Sequence, residues 1–256
     1  MKVKSNLFFC GAMSLGDAIV CSPIANLFSQ NADILYVPTQ YKFYETIACL
    51  YQDNPKIKVV PFNNPDEENQ FIKDNELVRI DSPVITTTMI HLETPSRYVP
   101  SYVNWDRQVY EFFNILYSDR YRNFTLPKYI QGEDELFDRL TEGAADYVLF
   151  NQQTGAHLGG VNIDIHTFRK AHNLPNIKVI EITDTITSNM LQYRKLIQHA
   201  REIHCVNTSF FWLVDGLHKQ TDARLFYHDR RADSTQQVNT RWNDYRWAIV
   251  GYSEKV

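Results

Sequence analysis

The chain has 256 residues, 44% of them hydrophobic and 22% charged, with a net charge of −4 and a pI near 6.1. That length suits one large domain or two small ones, and 15 tyrosines and 15 phenylalanines against 9 glycines exclude a disordered or fibrous chain. No lysine- or arginine-rich run appears, which excludes a nucleic-acid partner held by a broad basic surface but not a small anionic ligand served by a few local donors.

The four cysteines, Cys10, Cys21, Cys49 and Cys205, match no zinc spacing, and so few in a chain this long point to a reducing, intracellular setting. The N-terminus, MKVKSNLFFCGAM, mimics a signal peptide. Its apolar run is short, is broken by Gly11 and Ser14, and leads to no small-residue cleavage site. No segment approaches the roughly 20 apolar residues that span a bilayer. A cytoplasmic chain without a transmembrane segment is expected.

Taken in order, Leu7–Cys10 reads as a short apolar strand closed by a turn over Gly11–Gly16. Asp17–Gln30 carries apolar residues at helical spacing, with Pro23 fitting only a first turn or a kink. Asp33–Thr39 is the next strand, Tyr41–Tyr51 a helix and Ile57–Phe62 a third strand, the βαβαβ rhythm of a parallel sheet. Pro65–Asp74 is polar and helical, and Pro83–Met89 is β-branched enough for another strand. Trp105–Leu116 forms an amphipathic helix with Val109, Phe112, Phe113 and Leu116 on its stripe.

Between Asn123 and Glu135 proline, glycine and charge replace periodicity, which places a domain boundary there. The division expected is 1–128 and 129–256. The rhythm then restarts: strand at Asp146–Phe150, polar loop at Asn151–Gly160, helix at Asp164–Asn173, strand at Ile177–Thr183 and helix at Ser188–Ala200. A strand over Glu202–Ser209, a helix at Phe210–His218 and a strand at Ala223–Asp229 follow. Arg230–Thr240 loops out before a final strand in Arg246–Tyr252.

Ligands of open parallel sheets bind beyond the carboxyl ends of the strands. The junction GAMSLGDAIV has small residues and a helix N-terminus, but neither a Walker lysine nor a GxGxxG pattern. Its Asp17 is open to two readings, a helix N-cap or a carboxylate that performs chemistry, and the pattern alone favours the cap. At the second junction, EIHCVNTSFFWLVDGLH, a strand delivers Asn207, Thr208 and Ser209 onto an apolar helix. They form either a lysine-free phosphate cradle or a routine cap. The loop NQQTGAHLGG supplies a third candidate, with His157 as a donor or simply exposed.

The two junctions, in this order, resemble the ADP-heptose:lipopolysaccharide heptosyltransferase-like group, glycosyltransferase family 9, of the GT-B type. SLGDAIVCSPI is similar to that group's Gly-Asp motif, and CVNTSFFWLVDGL to its second-half strand, hydroxyl loop and helix. The resemblance implies an α/β fold of two Rossmann-like parallel-sheet domains facing a cleft, the first binding the acceptor and the second a nucleotide-sugar donor. It implies an inverting transfer to a glycan hydroxyl with no bound metal and no cofactor, the nucleotide-sugar being a substrate. Asp17 matches the catalytic base. An apolar setting favours its protonated form, and the helix N-terminus favours the ionised form that a base needs. Ser14 and Gly16 fall on the acceptor side. Asn207, Thr208 and Ser209 match the loop that meets the donor diphosphate, with Gln153, Thr154 and His157 nearby and Glu181 and Thr183 at a base or ribose position. The group's carboxylate in that second motif is replaced here by Asn207. Arg194, Lys195, Arg230 and Arg231 are the cations available to a diphosphate, the first two reading also as solvated helix positions. The alternative is a non-catalytic nucleotide- or glycan-binding protein on the same frame.

Overall fold

The computed structural model describes residues 6–10, 14–81, 105–152, 163–171, 177–229 and 247–251. The chain divides into two compact units, Met1–Ile130 and Gln131–Val256. Each unit is an α/β layer structure with an all-parallel sheet.

Unit 1 runs β1 (Leu7–Cys10), α1 (Leu15–Asn31), β2 (Leu35–Gln40), a 3-10 turn (Tyr41–Phe43), α2 (Tyr44–Tyr51), β3 (Ile57–Phe62), α3 (Pro65–Asp74), β4 (Val78–Asp81), α4 (Trp105–Phe112) and α5 (Asp119–Arg122). Its strand order is β3-β2-β1-β4, so the order of strand addition reverses between β1 and β4 while all strands stay parallel. β1 is apolar on both faces because helices cover both. Phe8 packs with Phe62 and Leu77 on one side, while Phe9 meets Phe28 and Phe113 on the other. Burying each such ring contributes about 1.5–3 kcal/mol.

α1 runs through Pro23 instead of starting or ending there. A proline lacks the N–H that would bond the carbonyl of Ile19. The Ser22 hydroxyl donates to that carbonyl at 2.9 Å and fills the gap. Tyr110 on α4 donates to the Val20 carbonyl at 2.7 Å. Beneath it Arg120 and Asp106, both 2% exposed, pair at 3.2 Å, and the Tyr117 hydroxyl also donates to Asp106. Removing either charge would strand the other in the interior.

Unit 2 runs α6 (Glu133–Thr141), β5 (Tyr147–Asn151), α7 (Ile165–Ala171), β6 (Lys178–Glu181), a 3-10 turn (Met190–Tyr193) leading into α8 (Arg194–His199), β7 (Glu202–Cys205), α9 (Ser209–Gly216), β8 (Arg224–Asp229) and β9 (Trp247–Gly251). The order β6-β5-β7-β8-β9 puts the reversal between β5 and β7. Phe150, Ile163, Ile165 and Val206 make one core cluster under this sheet.

The same sheet carries a buried charge cluster. Glu202, fully buried on β7, accepts from Arg169 of α7 and Arg224 of β8. His204 Nε2 stands 3.5 Å from the same carboxylate, and its Nδ1 is 2.9 Å from Nε2 of His228, both imidazoles fully buried. Burial raises the Glu202 carboxyl, but His204 and the two guanidinium groups outweigh it and hold it at about 2. Burial pushes the His204 imidazole below its usual range; Glu202 opposes that push without reversing it.

Several elements differ from the sequence reading. α1 begins at Leu15, so Asp17 occupies the third helical position and Ser14 is the cap. The helix at Trp105 stops at Phe112, and Asn114 takes a left-handed φ of 54°. Phe112 and Leu116 are consequently 46% and 68% exposed, off the expected stripe. Pro83–Met89 lies outside the described residues, whereas Val78–Asp81 forms a strand that the pattern did not suggest. Ser188–Ala200 is a 3-10 turn and a six-residue helix instead of one helix.

Candidate functional site

The first junction follows β1, beside the reversal of sheet 1. Ser14 is extended (φ −121°, ψ 167°) and its Oγ accepts from the Asp17 N–H at 3.3 Å. Asp17 Oδ2 accepts in return from the Ser14 N–H at 2.8 Å, closing a reciprocal capping box. The half-buried Asp17 therefore has a structural duty at one oxygen and sits at the positive end of a 17-residue helix. Gly16 is buried within that first turn. One turn further, burial and then the Asp17 charge push the Cys21 thiol up, and burial does the same to Cys205. Neither is a thiolate nucleophile.

Ser14 also reaches a pocket of ≈ 360 Å³. Its other walls include Thr39 and Gln40 at the end of β2 with Tyr41 and Lys42 just after it, Phe62 at the end of β3 with Asn63 just after it, Ile47 of α2 and Glu68 of α3. These residues were absent from the sequence candidates. Gly16, placed with Ser14 on the acceptor side, does not line this pocket.

The second junction joins β7 to α9, beside the reversal of sheet 2. Thr208 caps α9, accepting from the Phe211 N–H at 3.3 Å, and donates to Asn151 Oδ1 at 2.7 Å. Asn151, 5% exposed at the end of β5, donates to the Ile182 carbonyl at 3.0 Å. One amide thus ties together the carboxyl ends of β5, β6 and β7. The sequence reading takes Asn151 as the first loop residue; its place right after a run of apolar strand residues is the available signal. Asn207, Thr208 and Ser209 are all half-buried, and no acidic residue lies in the first turn of α9.

Glu181, exposed at the end of β6, accepts from Gln152 Nε2 at 2.9 Å, and the hydroxyl of Thr183 lies 2.9 Å from that of Thr185. The structure brings these two to the same sheet edge as Asn207–Ser209. Gln153, Thr154 and His157 fall outside the described residues, as do Arg230 and Arg231. Arg194 and Lys195 pair with acids of their own unit. Arg194 Nε bonds Glu133 at 2.9 Å and Lys195 Nζ bonds Asp134 at 2.6 Å, tying α8 to α6.

Two all-parallel α/β units, each with a strand-to-helix junction beside its sheet reversal, define a twin Rossmann-like protein. No protein-family model matches the chain, and no curated protein matches it. Among solved structures it is similar to the glycosyl transferase family 9 structure from Veillonella parvula DSM 2008. The two share 8% identity over 98% of this chain and 87% of that one, with a TM-score of 0.55. At that identity the likeness establishes the GT-B-like fold class and nothing about activity. No helix among the described residues is long and apolar enough to cross a membrane.

Proposed function

We propose that the chain is a cytoplasmic glycosyltransferase that moves a sugar from a nucleotide-sugar donor to a glycan hydroxyl, with inversion and without a bound metal. Unit 2 binds the donor and unit 1 the acceptor. The observation that carries this division is the acid in the first turn of one helix and its absence from the first turn of the other. The first turn of α1 holds the Asp17 carboxylate, which repels phosphate, while the first turn of α9 holds no acid.

In this reading the α9 N-terminus and the hydroxyls of Thr208 and Ser209 receive the donor diphosphate. Glu181 ends the second strand of its sheet, where dinucleotide folds place an acid on the ribose. Asp17 takes the proton of the acceptor hydroxyl as that oxygen attacks the anomeric carbon. The bond from that carbon to the diphosphate oxygen breaks, and its electron pair leaves on the phosphate, stabilised by the α9 donors.

A non-catalytic binding role is the second reading, favoured by the engagement of Asp17 Oδ2 with the Ser14 N–H. Asp17→Asn separates the two. An amide oxygen still accepts from Ser14, so the cap and the fold remain. Loss of the base lowers turnover by about 10²–10⁴-fold, with nucleotide affinity unchanged. A variant as active as the parent removes Asp17 from the mechanism.

A further inference from the structure

We infer that α7 is a latch that acid releases: a proton taken up by the buried His204–His228 pair lets this helix lift from sheet 2 and, through Ile163 and Gln152, loosens Glu181. The link to Glu181 rests on the transferase reading, in which that residue meets the donor.

The pair sits where a proton is hard to place. His204 and His228 are fully buried and bonded ring to ring at 2.9 Å, a contact that uses one N–H and one bare nitrogen. A proton on the bare nitrogen sets two N–H groups against each other. The other ring nitrogen of His204, Nε2, makes no hydrogen bond and stands 3.5 Å from Glu202 Oε2. Around the rings β7 supplies Glu202, β8 supplies Arg224 and α7 supplies Arg169, so one carboxylate already serves two guanidinium groups. β5 and β9 set Phe150 and Val250 opposite the two imidazoles and add no charge. Burial accordingly holds His204 below its usual range.

α7 is the part of this shell that can move. β7 is bonded to β5 on one side and β8 on the other, so these strands part only when the whole sheet unfolds. α7 has seven residues, too few to persist as a helix without its packing. That packing is on the cluster itself. The Phe168 ring meets His204, Phe226 and His228 edge-on at 5.5, 5.9 and 5.1 Å, and Glu202 holds Arg169. Lifting α7 hydrates the imidazoles, and a hydrated imidazole takes up a proton near pH 6.5. The neutral rings thus favour the closed helix above that pH, and the preference is lost as pH falls below it.

Two hydrogen bonds join the helix to the donor edge. The Ile163 N–H donates to Gln152 Oε1 at 3.1 Å, and Gln152 Nε2 donates to Glu181 Oε1 at 2.9 Å. Ile163 shares a core cluster with Ile165 of α7, which couples it to the helix.

The test is hydrogen exchange of the full chain in low urea at pH 7.5 and 5.5, corrected for the intrinsic effect of pH on amides. The α7 amides from Phe168 onward are expected to be less protected than those of β5 and β7 and insensitive to urea, the mark of local opening. Their protection is expected to fall about tenfold between the two pH values, and much less in His204→Gln. If that variant does not fold, the parent's pH and urea series decides on its own. The latch is overturned if α7 exchanges with the protection and urea dependence of β5 and β7. It is equally overturned if α7 opens locally with no dependence on pH, or if His204→Gln shows the full fall. Saturating ADP or UDP, where bound, is expected to raise α7 protection, because linkage is reciprocal. Bound nucleotide with α7 unchanged overturns the link to Glu181. Binding of neither nucleotide counts against the transferase reading, and the pH series then decides the latch.

Discussion

A single hydroxyl at the second junction serves two partners. Thr208 Oγ1 accepts from the Phe211 N–H and donates to the buried Asn151 amide oxygen. Replacing it by valine keeps the shape and removes both bonds. The expected cost is about 1–3 kcal/mol, the lost cap plus an amide oxygen left without its donor, measured as a shift in urea midpoint. An unchanged midpoint would show that water replaces the hydroxyl there, and Asn151 would lose its role as the tie between three strands. Asp17 was only half legible as a residue. Its position beside a helix start was readable, but its partner was not. A cap at Ser14 and a third-position acid differ from an acid cap by one turn of register, which only the backbone settles.

Among the elements, β7 makes the clearest demand on solution conditions. His204 is neutral in the folded chain, while in the unfolded chain it takes up a proton near pH 6.5. The unfolded state therefore binds more protons as pH falls, and the contribution of the neutral ring is lost below that value. Glu202 acts in the same sense at lower pH: its depressed carboxyl adds stability above its unfolded value, and this is lost as pH falls toward about 2. The facing groups, Arg169, Arg224 and His228, supply no acid other than Glu202 to welcome a new charge. Urea midpoints should drop between about pH 7 and 5, and the drop should shrink in His204→Gln. A flat profile would contradict a neutral buried ring.

The elements that the pattern revealed are those with two-sided burial or a long apolar run, such as β1, β2 and α9. β4 escaped notice because it is short and polar at alternate positions. Val78 is 55% exposed and Arg79 pairs outward with Glu68, so its composition reads as solvated chain. α4 was overextended because Phe112, Phe113 and Leu116 continue a helical spacing that Asn114 interrupts.

For the whole molecule, the repeated strand–helix alternation made the α/β class readable, and the remote likeness in fold agrees with it. The pocket of unit 1 was not readable. It is assembled from Ser14, Gln40, Tyr41 and Asn63, residues on separate loops that only a parallel sheet in the order β3-β2-β1 brings to one edge. The reading as a transferase stands or falls on whether unit 2 takes a nucleoside diphosphate. The most direct measurement is a thermal-shift series of the full chain with nucleoside diphosphates and their sugar conjugates. At 100 times its dissociation constant a true ligand adds about 2.7 kcal/mol of stability, a shift of several degrees. Such a shift is expected with at least one nucleoside diphosphate, reduced in Thr208→Val and kept in Asp17→Asn. No shift with any nucleotide or nucleotide-sugar would contradict the transferase reading.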